Sequence, residues 1–349
     1  WCFEDQQRNL MKKLFIISNE SIFNYEGNFF CDNIDMKSTP EEFNKNFNIS
    51  IIARKSKKIR SHKINLINIK TYGNIISYLI GIFGSLKENN QKYLIISISP
   101  FTFLACVLLR ILKKKSLVYL RSDGYEEYRK KFGIIGKLIY HLMYIIIAKI
   151  SHLVSCREHI LRGKKGKLVS PSQLSSPWFL GHKEYKIDKI KLLYVGRIRV
   201  EKGIFSLLNI IKNNDEVTLS IVGAEKMTTN NINQSNVNIY EIETNEQNLI
   251  KFYDDHSIFI LPSFTEGHPM ALLESLSRLR PVIIFKEIEH VIGNKKGIFV
   301  SERNTESFLK VITHIKDNYK NIQIIMKENR LPTKDNFIKE FKKLILDSI

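Results

Sequence analysis

Two glutamates that follow a short apolar run give the clearest chemical signal in the sequence. The run covers residues 258–261, Glu266 lies in the loop after it, and Glu274 falls on a helix that Pro269 is suited to start. The Glu266 carboxylate could bind a sugar hydroxyl, the amides of residues 267–270 a diphosphate, and Glu274 a ribose diol. The alternative is structural: Glu274 would be a charge on the helix surface, and Glu266 would complement the helix dipole.

A second motif places two cations after another apolar strand. Residues 191–195 predict the strand, Gly196 allows a tight turn after it, and Gly203 opens a predicted helix. Between the glycines lie Arg197, whose planar guanidinium can grip a phosphate, and Lys202, which adds a point charge. Such cations are also typical of a solvent-exposed loop, so the motif gains weight only beside the two glutamates.

The elements around these motifs alternate between strands and helices. Apolar runs predict strands at 14–18, 49–53, 65–69, 93–97, 117–120, 153–155, 191–195, 217–222, 237–240, 258–261 and 282–285. Helical patterns cover 40–47, 73–87, 101–113, 126–150, 203–213, 245–254, 269–279, 304–316 and 334–349. This alternation predicts an α/β fold with parallel sheets, and the Ser- and Pro-rich residues 170–188 predict a linker between two domains.

Together, the two motifs resemble the signatures of glycosyltransferase family 4. The first motif matches the family's G-R-x4-K-G element through Gly196, Arg197, Lys202 and Gly203. The second matches its P-S-x2-E-G-x-P-x4-E element through Pro262, Ser263, Glu266, Gly267, Pro269 and Glu274. Pro281-Val282 matches the family's turn into the next strand, and the specific match covers residues 190–285.

The resemblance implies a retaining enzyme with the GT-B fold. Two Rossmann-like domains, at 11–178 and 188–330, would face each other across a cleft. The C-terminal helix within 331–349 would cross back and pack on the N-terminal domain. The second domain would bind the nucleotide-sugar donor, and the first would meet the acceptor.

The resemblance also implies roles for single residues. Arg197 and Lys202 would neutralise the donor diphosphate, the catalytic Glu266 would contact the transferred sugar, and Glu274 would bind the nucleotide ribose. The loop residues assigned to substrate binding with them are Gly267, His268, Pro269 and Met270. Because cations and aligned amides can stabilise the departing diphosphate, we expect no metal and no other cofactor.

Some positions depart from the family pattern. Gly27 is the single glycine where the family has a Gly-rich loop after its first strand, and Gly223 keeps one glycine of a G-x-G whose last position is Glu225. Both glycines are assigned to donor binding. Tyr240 and Glu241 lie where the family commonly holds the nucleotide base, and we assign them to it.

Asp123 is the candidate catalytic residue of the first half. It follows the predicted strand 117–120, where the family often has a polar residue facing the cleft, and it could help to activate an acceptor hydroxyl. The alternative is a turn or N-cap residue before Tyr125.

The net charge is strongly positive and unevenly distributed. The chain has 54 Lys and Arg against 35 Asp and Glu, a net of +19, and residues 1–185 hold 30 against 14, a net of +16. Basic runs in this half lie at 54–58, 113–115, 129–131 and 164–167. We expect the first domain to rest on an anionic cytoplasmic membrane face that holds a lipid-diphosphate-linked acceptor. The apolar segment 134–150 contains Lys137, His141 and Lys149, which favours a buried helix or a helix on the membrane surface over a span.

The expected function is transfer of a sugar from a nucleotide-diphosphate sugar to a glycan or lipid-linked acceptor, in bacterial cell-surface polysaccharide or lipopolysaccharide biosynthesis. The alternatives are a sugar-nucleotide epimerase of the same fold and a basic nucleic-acid-binding protein. No recognised nucleic-acid-binding motif is present, so no nucleic-acid partner is expected. The scattered cysteines form no metal motif and fit a reducing cytoplasm. Residues 1–10 lack the basic-then-apolar pattern of a secretory signal, and we interpret them as an extension before Met11.

Overall fold

The computed structural model describes residues 12–87, 91–183, 189–212, 214, 216–224 and 234–348. The extension 1–10 and Glu225 lie outside these residues. The chain divides into two compact units, Trp1–Gln173 with Lys334–Ile349, and Leu174–Thr333. The boundary after Gln173 falls inside the predicted linker. The prediction of an α/β fold with parallel sheets is confirmed for each unit, with the exceptions given below.

The strands are β1 (Lys13–Tyr25), β2 (Asn28–Cys31), β3 (Asn48–Lys55), β4 (His62–Ile64), β5 (Ile69–Tyr72), β6 (Gln91–Ile96), β7 (Ser116–Leu120), β8 (His152–Ser155), β9 (Gly166–Leu168), β10 (Ile190–Val195), β11 (Val217–Ala224), β12 (Val237–Glu241), β13 (Ile258–Leu261), β14 (Val282–Phe285) and β15 (Ile298–Ser301). The helices are α1 (Asp35–Phe43), α2 (Ile75–Ser85), α3 (Pro100–Ile111), α4 (Gly124–Ile150), α5 (Ile204–Ile211), α6 (Glu246–Asp254), α7 (Met270–Ser277), α8 (Thr305–Met326) and α9 (Lys334–Ser348).

The first unit packs helices on both faces of a nine-stranded sheet. Side chains alternate along β1, so Leu14 and Ile16 enter one core while Phe15 and Ile17 enter the other. Helices α1 and α9 cover the first core, and α2, α3 and α4 cover the second. The Phe341 ring of α9 packs edge-on against Tyr119 of β7, with ring centroids 4.8 Å apart. The C-terminal helix is therefore part of the first unit.

An antiparallel extension of the first sheet departs from the predicted pattern. Strand β2 pairs antiparallel with both β1 and β4, whereas the pairs among β1, β3, β5, β6, β7, β8 and β9 are parallel. The predicted strand at 65–69 is wrong, because most of these residues form the connection from β4 to β5. Its apolar residues produced the pattern without pairing, and Ile67 is 81% exposed.

The second unit is a six-stranded parallel sheet in the order β12-β11-β10-β13-β14-β15. From β10 the chain adds strands to one side, then returns to place β13 on the other side of β10. The carboxyl ends of β10 and β13 therefore lie at the point where the strand order reverses, which is where open α/β sheets bind ligands. The prediction missed β15, and α8 extends beyond the predicted 304–316.

Part of the predicted linker is packed into the second unit. Trp178 is 3% exposed, and Leu174 is fully buried in the same core. The buried Arg278 bonds to Asp254 through Nη2 at 2.8 Å and donates from Nη1 to the Leu180 carbonyl at 2.6 Å. Because a buried cation needs both a counter-charge and acceptors, these contacts fix the entry of the chain into this unit.

Candidate functional site

The two signature motifs meet at the point of strand reversal in the second unit. Strands β10 and β13 pair in parallel, with Leu192 opposite Ile258, so the loops after them leave from the same edge of the sheet. Gly203 has φ +68°, and a Cβ at this position would lie 1.9 Å from the Pro262 carbonyl oxygen. Only glycine permits this close approach of the two loops.

A short ion pair joins the motifs. Lys202 Nζ lies 2.6 Å from Glu266 Oε1, which also accepts a hydrogen bond from Ser263 Oγ at 2.6 Å. The Glu266 side chain is 10% exposed and that of Lys202 is 27% exposed. His290 Nε2 lies 2.8 Å from the Glu266 carbonyl oxygen, and because a carbonyl only accepts, Nε2 donates. The pair thus brings the cation of the first motif and the carboxylate of the second to one place.

Arg303 holds the loop that follows β13 and leads to Glu266. Its Nη1 donates to the Pro262 carbonyl at 3.0 Å, and its Nε donates to Glu287 Oε1 at 2.7 Å. The guanidinium lies over two aromatic rings, 4.1 Å from the centroid of Phe264 and 4.2 Å from that of Phe285. Stacking and bonding together fix the loop that leads to Glu266.

Glu274 lies on α7 in a less polar environment. Tyr253 donates a hydrogen bond from its hydroxyl to Glu274 Oε2 at 2.7 Å. Burial raises the pKa of Glu274 to about 7, and the Tyr253 hydrogen bond opposes this rise only in part. Glu274 is half-buried and its carboxyl group is bonded inward by Tyr253, so it is not the ordinary exposed charge of the structural alternative.

The residues between the two glutamates form the start of α7. Pro269 is the N-cap residue, Met270 is the first helical residue, and Gly267 and His268 lie in the half-buried turn before them. The first amides of a helix lack intrahelical acceptors, so this end can accept an anion as predicted. Their contact with a donor diphosphate stays a prediction.

Arg197 and Gly223 are two further residues assigned to donor binding. Arg197 is exposed, and among the residues that the structure describes it forms no ion pair, so its guanidinium is available to a ligand. Gly223 has φ +119°, and a Cβ there would lie 2.5 Å from the Gly196 carbonyl oxygen. Gly223 is thus required for the packing of β11 against the turn after β10.

Tyr240 and Glu241 end the edge strand β12. Tyr240 is 41% exposed, and its ring packs edge-on against Phe252, with centroids 4.9 Å apart. Glu241 is exposed. Strand β11 separates β12 from β10 in the sheet, so these residues lie two strands away from β10. Their contact with a nucleotide base stays a prediction.

The two candidates of the first unit have structural tasks. Gly27 (φ +79°) and Glu26 (φ +48°) form the two-residue turn between β1 and β2, which accounts for the glycine without a ligand. Asp123 is the N-cap of α4 and accepts from the Tyr125 amide at 3.0 Å. Its other oxygen accepts from Arg162 Nη2 at 2.6 Å. The N-cap alternative is what the structure shows, and the catalytic role stays a prediction.

Sequence reasoning missed several residues that shape this site. Ser263 stood within a recognised motif, and its hydrogen bond to Glu266 could have been anticipated from their spacing. Tyr253, His290 and Arg303 come from other parts of the chain, and nothing in their local sequence marks them. Within the described ranges, no group of three or more His, Cys, Asp or Glu residues is placed to hold a metal ion.

Comparisons with known proteins agree with this geometry. Residues 181–331 match the family described as glycosyl transferases group 1. The putative teichuronic acid biosynthesis glycosyltransferase TuaC of Bacillus subtilis (strain 168) is 22% identical over 180 residues, which are 48% of this chain and 46% of that protein. The match therefore spans about half the length of this curated relative.

Solved structures of glycosyltransferases share the fold over nearly the whole chain. WaaG, a glycosyltransferase involved in lipopolysaccharide biosynthesis, has a TM-score of 0.67 at 12% identity and covers 96% of this chain and 100% of its own. Anabaena HepE in complex with UDP and glucose has a TM-score of 0.66 at 10% identity, covering 97% and 100%. An α-glucosyltransferase in complex with UDP and a 13-mer DNA has a TM-score of 0.63 at 12% identity, covering 96% and 100%. The chain therefore has the GT-B fold, and its residues 181–331 match the glycosyl transferases group 1 family.

Proposed function

We propose that the chain is a retaining glycosyltransferase that moves a sugar from a nucleotide-diphosphate sugar to a glycan or lipid-linked acceptor. The observation that carries the proposal is the Lys202–Glu266 ion pair at the switch point of the second sheet, with the exposed Arg197 on the same loop as Lys202. The roles of TuaC in teichuronic acid biosynthesis and of WaaG in lipopolysaccharide biosynthesis support a place in cell-surface polysaccharide or lipopolysaccharide biosynthesis. The UDP and glucose bound to HepE support a nucleotide-sugar donor.

The proposed chemistry follows from the charges at the site. Breaking the anomeric bond leaves negative charge on the diphosphate and positive charge on the sugar. Lys202, Arg197 and the first amides of α7 stabilise the diphosphate, and the Glu266 carboxylate orients the sugar and stabilises its positive charge. Because cations of the protein supply this stabilisation, the proposed reaction needs no metal. Retention is reached either by attack of a carboxylate or by reaction of acceptor and leaving group on one face.

The proposed location is the cytoplasmic face of a bacterial cell membrane, with the first unit nearest to the lipid. Support comes from the basic runs at 54–58, 113–115, 129–131 and 164–167, all in the first unit. Each Lys or Arg near an anionic leaflet contributes about 1 kcal/mol to binding. A lipid-diphosphate-linked acceptor presented there would meet the acceptor side of the enzyme.

The test combines donor binding and turnover. A thermal-shift panel of UDP-, GDP- and other nucleotide sugars identifies the donor, and transfer is then followed with EDTA present. Glu266→Ala should abolish transfer, and Lys202→Ala should weaken donor binding. Lys296→Ala is the matched control, because Lys296 has an exposed ion pair with Glu328 and precedes β15, so it lies at the opposite edge of the parallel sheet from the loops after β10 and β13. Full transfer by Glu266→Ala refutes the site, loss of transfer in EDTA refutes metal independence, and inversion of the anomeric centre refutes retention.

Two alternatives are outcomes of the same experiment. The α-glucosyltransferase was solved in complex with UDP and DNA, so a protein of this fold can bind DNA. Duplex DNA therefore belongs among the acceptors that are tested. Labelled sugar appearing on DNA would replace the glycan acceptor in the proposal. Conversion of the nucleotide sugar to its epimer without any transfer product would favour the epimerase.

A further inference from the structure

Helix α4 is apolar on two faces, and only one of them is covered. The inner face packs into the first unit through Tyr140, Met143, Tyr144 and Ile147, each at most 6% exposed. The opposite side, here called the outer face, has large apolar side chains that are 42% to 71% exposed. Its members are Ile135, Leu138, Ile139, Leu142 and Ile146.

Helical spacing makes the outer face one continuous stripe. Counted from Ile135, its members stand at positions i, i+3, i+4, i+7 and i+11, which places them on a single side of a helix. Ile134, 77% exposed, borders the stripe. Lys137 and His141 occupy the narrow polar strip between the outer and inner faces. Gly133 (φ 64°, ψ −150°) interrupts the helix before the stripe, so residues 134–150 form their own helical segment.

The helix lies along the sheet rather than leaving the unit. By length and composition α4 is apolar enough to cross a membrane. Of its most apolar stretch of 18 residues, 28% is buried in the protein. However, its ends connect β7 to β8, which pair in parallel, so both ends are tied to one sheet. Tyr144 also donates a hydrogen bond to the Leu161 carbonyl from the inner face. A helix held in this way can bury its outer face only in something that approaches from outside.

Cations flank the outer face at both ends. Arg129, Lys130 and Lys131 are exposed before it, and Lys149 is exposed near the end of the helix. The run 113–115 lies beside that end, because Ser116 Oγ and Ser151 Oγ are 2.8 Å apart. The acid Glu126 offsets this charge in part through a 3.8 Å pair with Arg129. An apolar stripe with cations at each end is complementary to acyl chains beneath anionic headgroups.

We propose that the outer face of α4 inserts into the headgroup–acyl boundary of an anionic lipid bilayer, with the helix parallel to the surface. This proposal rests on the proposed function, since it specifies how the first unit meets a membrane-held acceptor. The basic runs alone would give only electrostatic attraction, which salt removes. The outer face adds a contribution from apolar burial that salt does not screen. A second copy fits less well, because two such surfaces would bring like charges together.

The test compares two matched pairs of exposed apolar residues. Leu138→Ser with Leu142→Ser changes the outer face, and Ile324→Ser with Ile325→Ser changes residues of α8 that are 54% and 45% exposed. Flotation uses phosphatidylcholine vesicles with and without phosphatidylglycerol, at low and high salt. The outer-face double variant should lose at least about tenfold in its partition onto anionic vesicles, while the α8 double variant should match the wild type. Leu138→Trp should give a blue-shifted emission on the same vesicles.

Donor binding separates this proposal from the proposed function. Both double variants should keep the thermal shift given by the nucleotide-sugar donor, since neither touches the donor site. The proposal is overturned if the wild type does not bind anionic vesicles, or if both double variants bind equally well. It is also overturned if light scattering shows a dimer that only the outer-face variant disrupts, because the face would then belong to a second copy.

Discussion

The raised pKa of Glu274 predicts how the stability of the protein changes with pH. Burial raises this pKa from 4.5 to about 7, so the folded state holds the proton more tightly than the unfolded chain. The free energy of unfolding therefore falls as pH rises from about 4.5 to about 7. At 1.36 kcal/mol per pKa unit, the loss between pH 5 and pH 8 is about 2–3 kcal/mol.

The substitution Glu274→Gln removes this titration and keeps the shape of the protonated side chain. For a unit of this size, each kcal/mol shifts Tm by about 2–4 °C, so the wild type should lose about 5–10 °C more than Glu274→Gln between pH 5 and pH 8. Tyr253→Phe should extend the fall of stability to higher pH, because the Tyr253 hydrogen bond lowers the Glu274 pKa and its loss lets that pKa rise further.

The measurement is thermal unfolding of each protein at both pH values. Taking the difference between proteins cancels the other titrating groups that they share. Glu306→Gln on α8 is the control, because its carboxylate is 80% exposed and should leave the wild-type pH dependence intact. An equal change in Tm for the wild type and Glu274→Gln would refute a buried, proton-holding Glu274.

Two further substitutions test single contacts. Gly203→Ala should cost about 1–3 kcal/mol in stability and weaken donor binding, because its φ of +68° and the Pro262 carbonyl leave no place for a Cβ. Gly84→Ala is the control, since a Cβ added at this position would meet nothing within 4 Å. Equal effects of the two substitutions on Tm and donor affinity would contradict the role given to Gly203. Asp123→Asn should keep most of the transfer rate, because asparagine caps a helix as well as aspartate while losing the pair with Arg162. A fall of about a hundredfold in rate with unchanged Tm would instead support the catalytic prediction.

The sequence determined the parts of the protein that depend on local pattern. Apolar runs predicted β13 and β14 with the bounds that the structure has, and two signature motifs marked residues that the loops after β10 and β13 bring together. These succeed because a buried parallel strand needs a continuous apolar run, and because the motif residues lie close together in the chain. The same pattern failed at 65–69, where apolar residues in a connection resembled a strand.

Tertiary structure decided how the predicted residues act. Lys202 and Glu266 come from different loops, and only the pairing of β10 with β13 brings their charges to 2.6 Å. Arg303 reaches the Pro262 carbonyl from beyond β15, a contact that no local pattern contains. The outer face of α4 could not be predicted either, because the exposed and the buried apolar residues of this helix are of the same types in sequence. Which charges meet and which apolar faces stay uncovered depends on contacts between distant segments, and only the folded chain establishes those contacts.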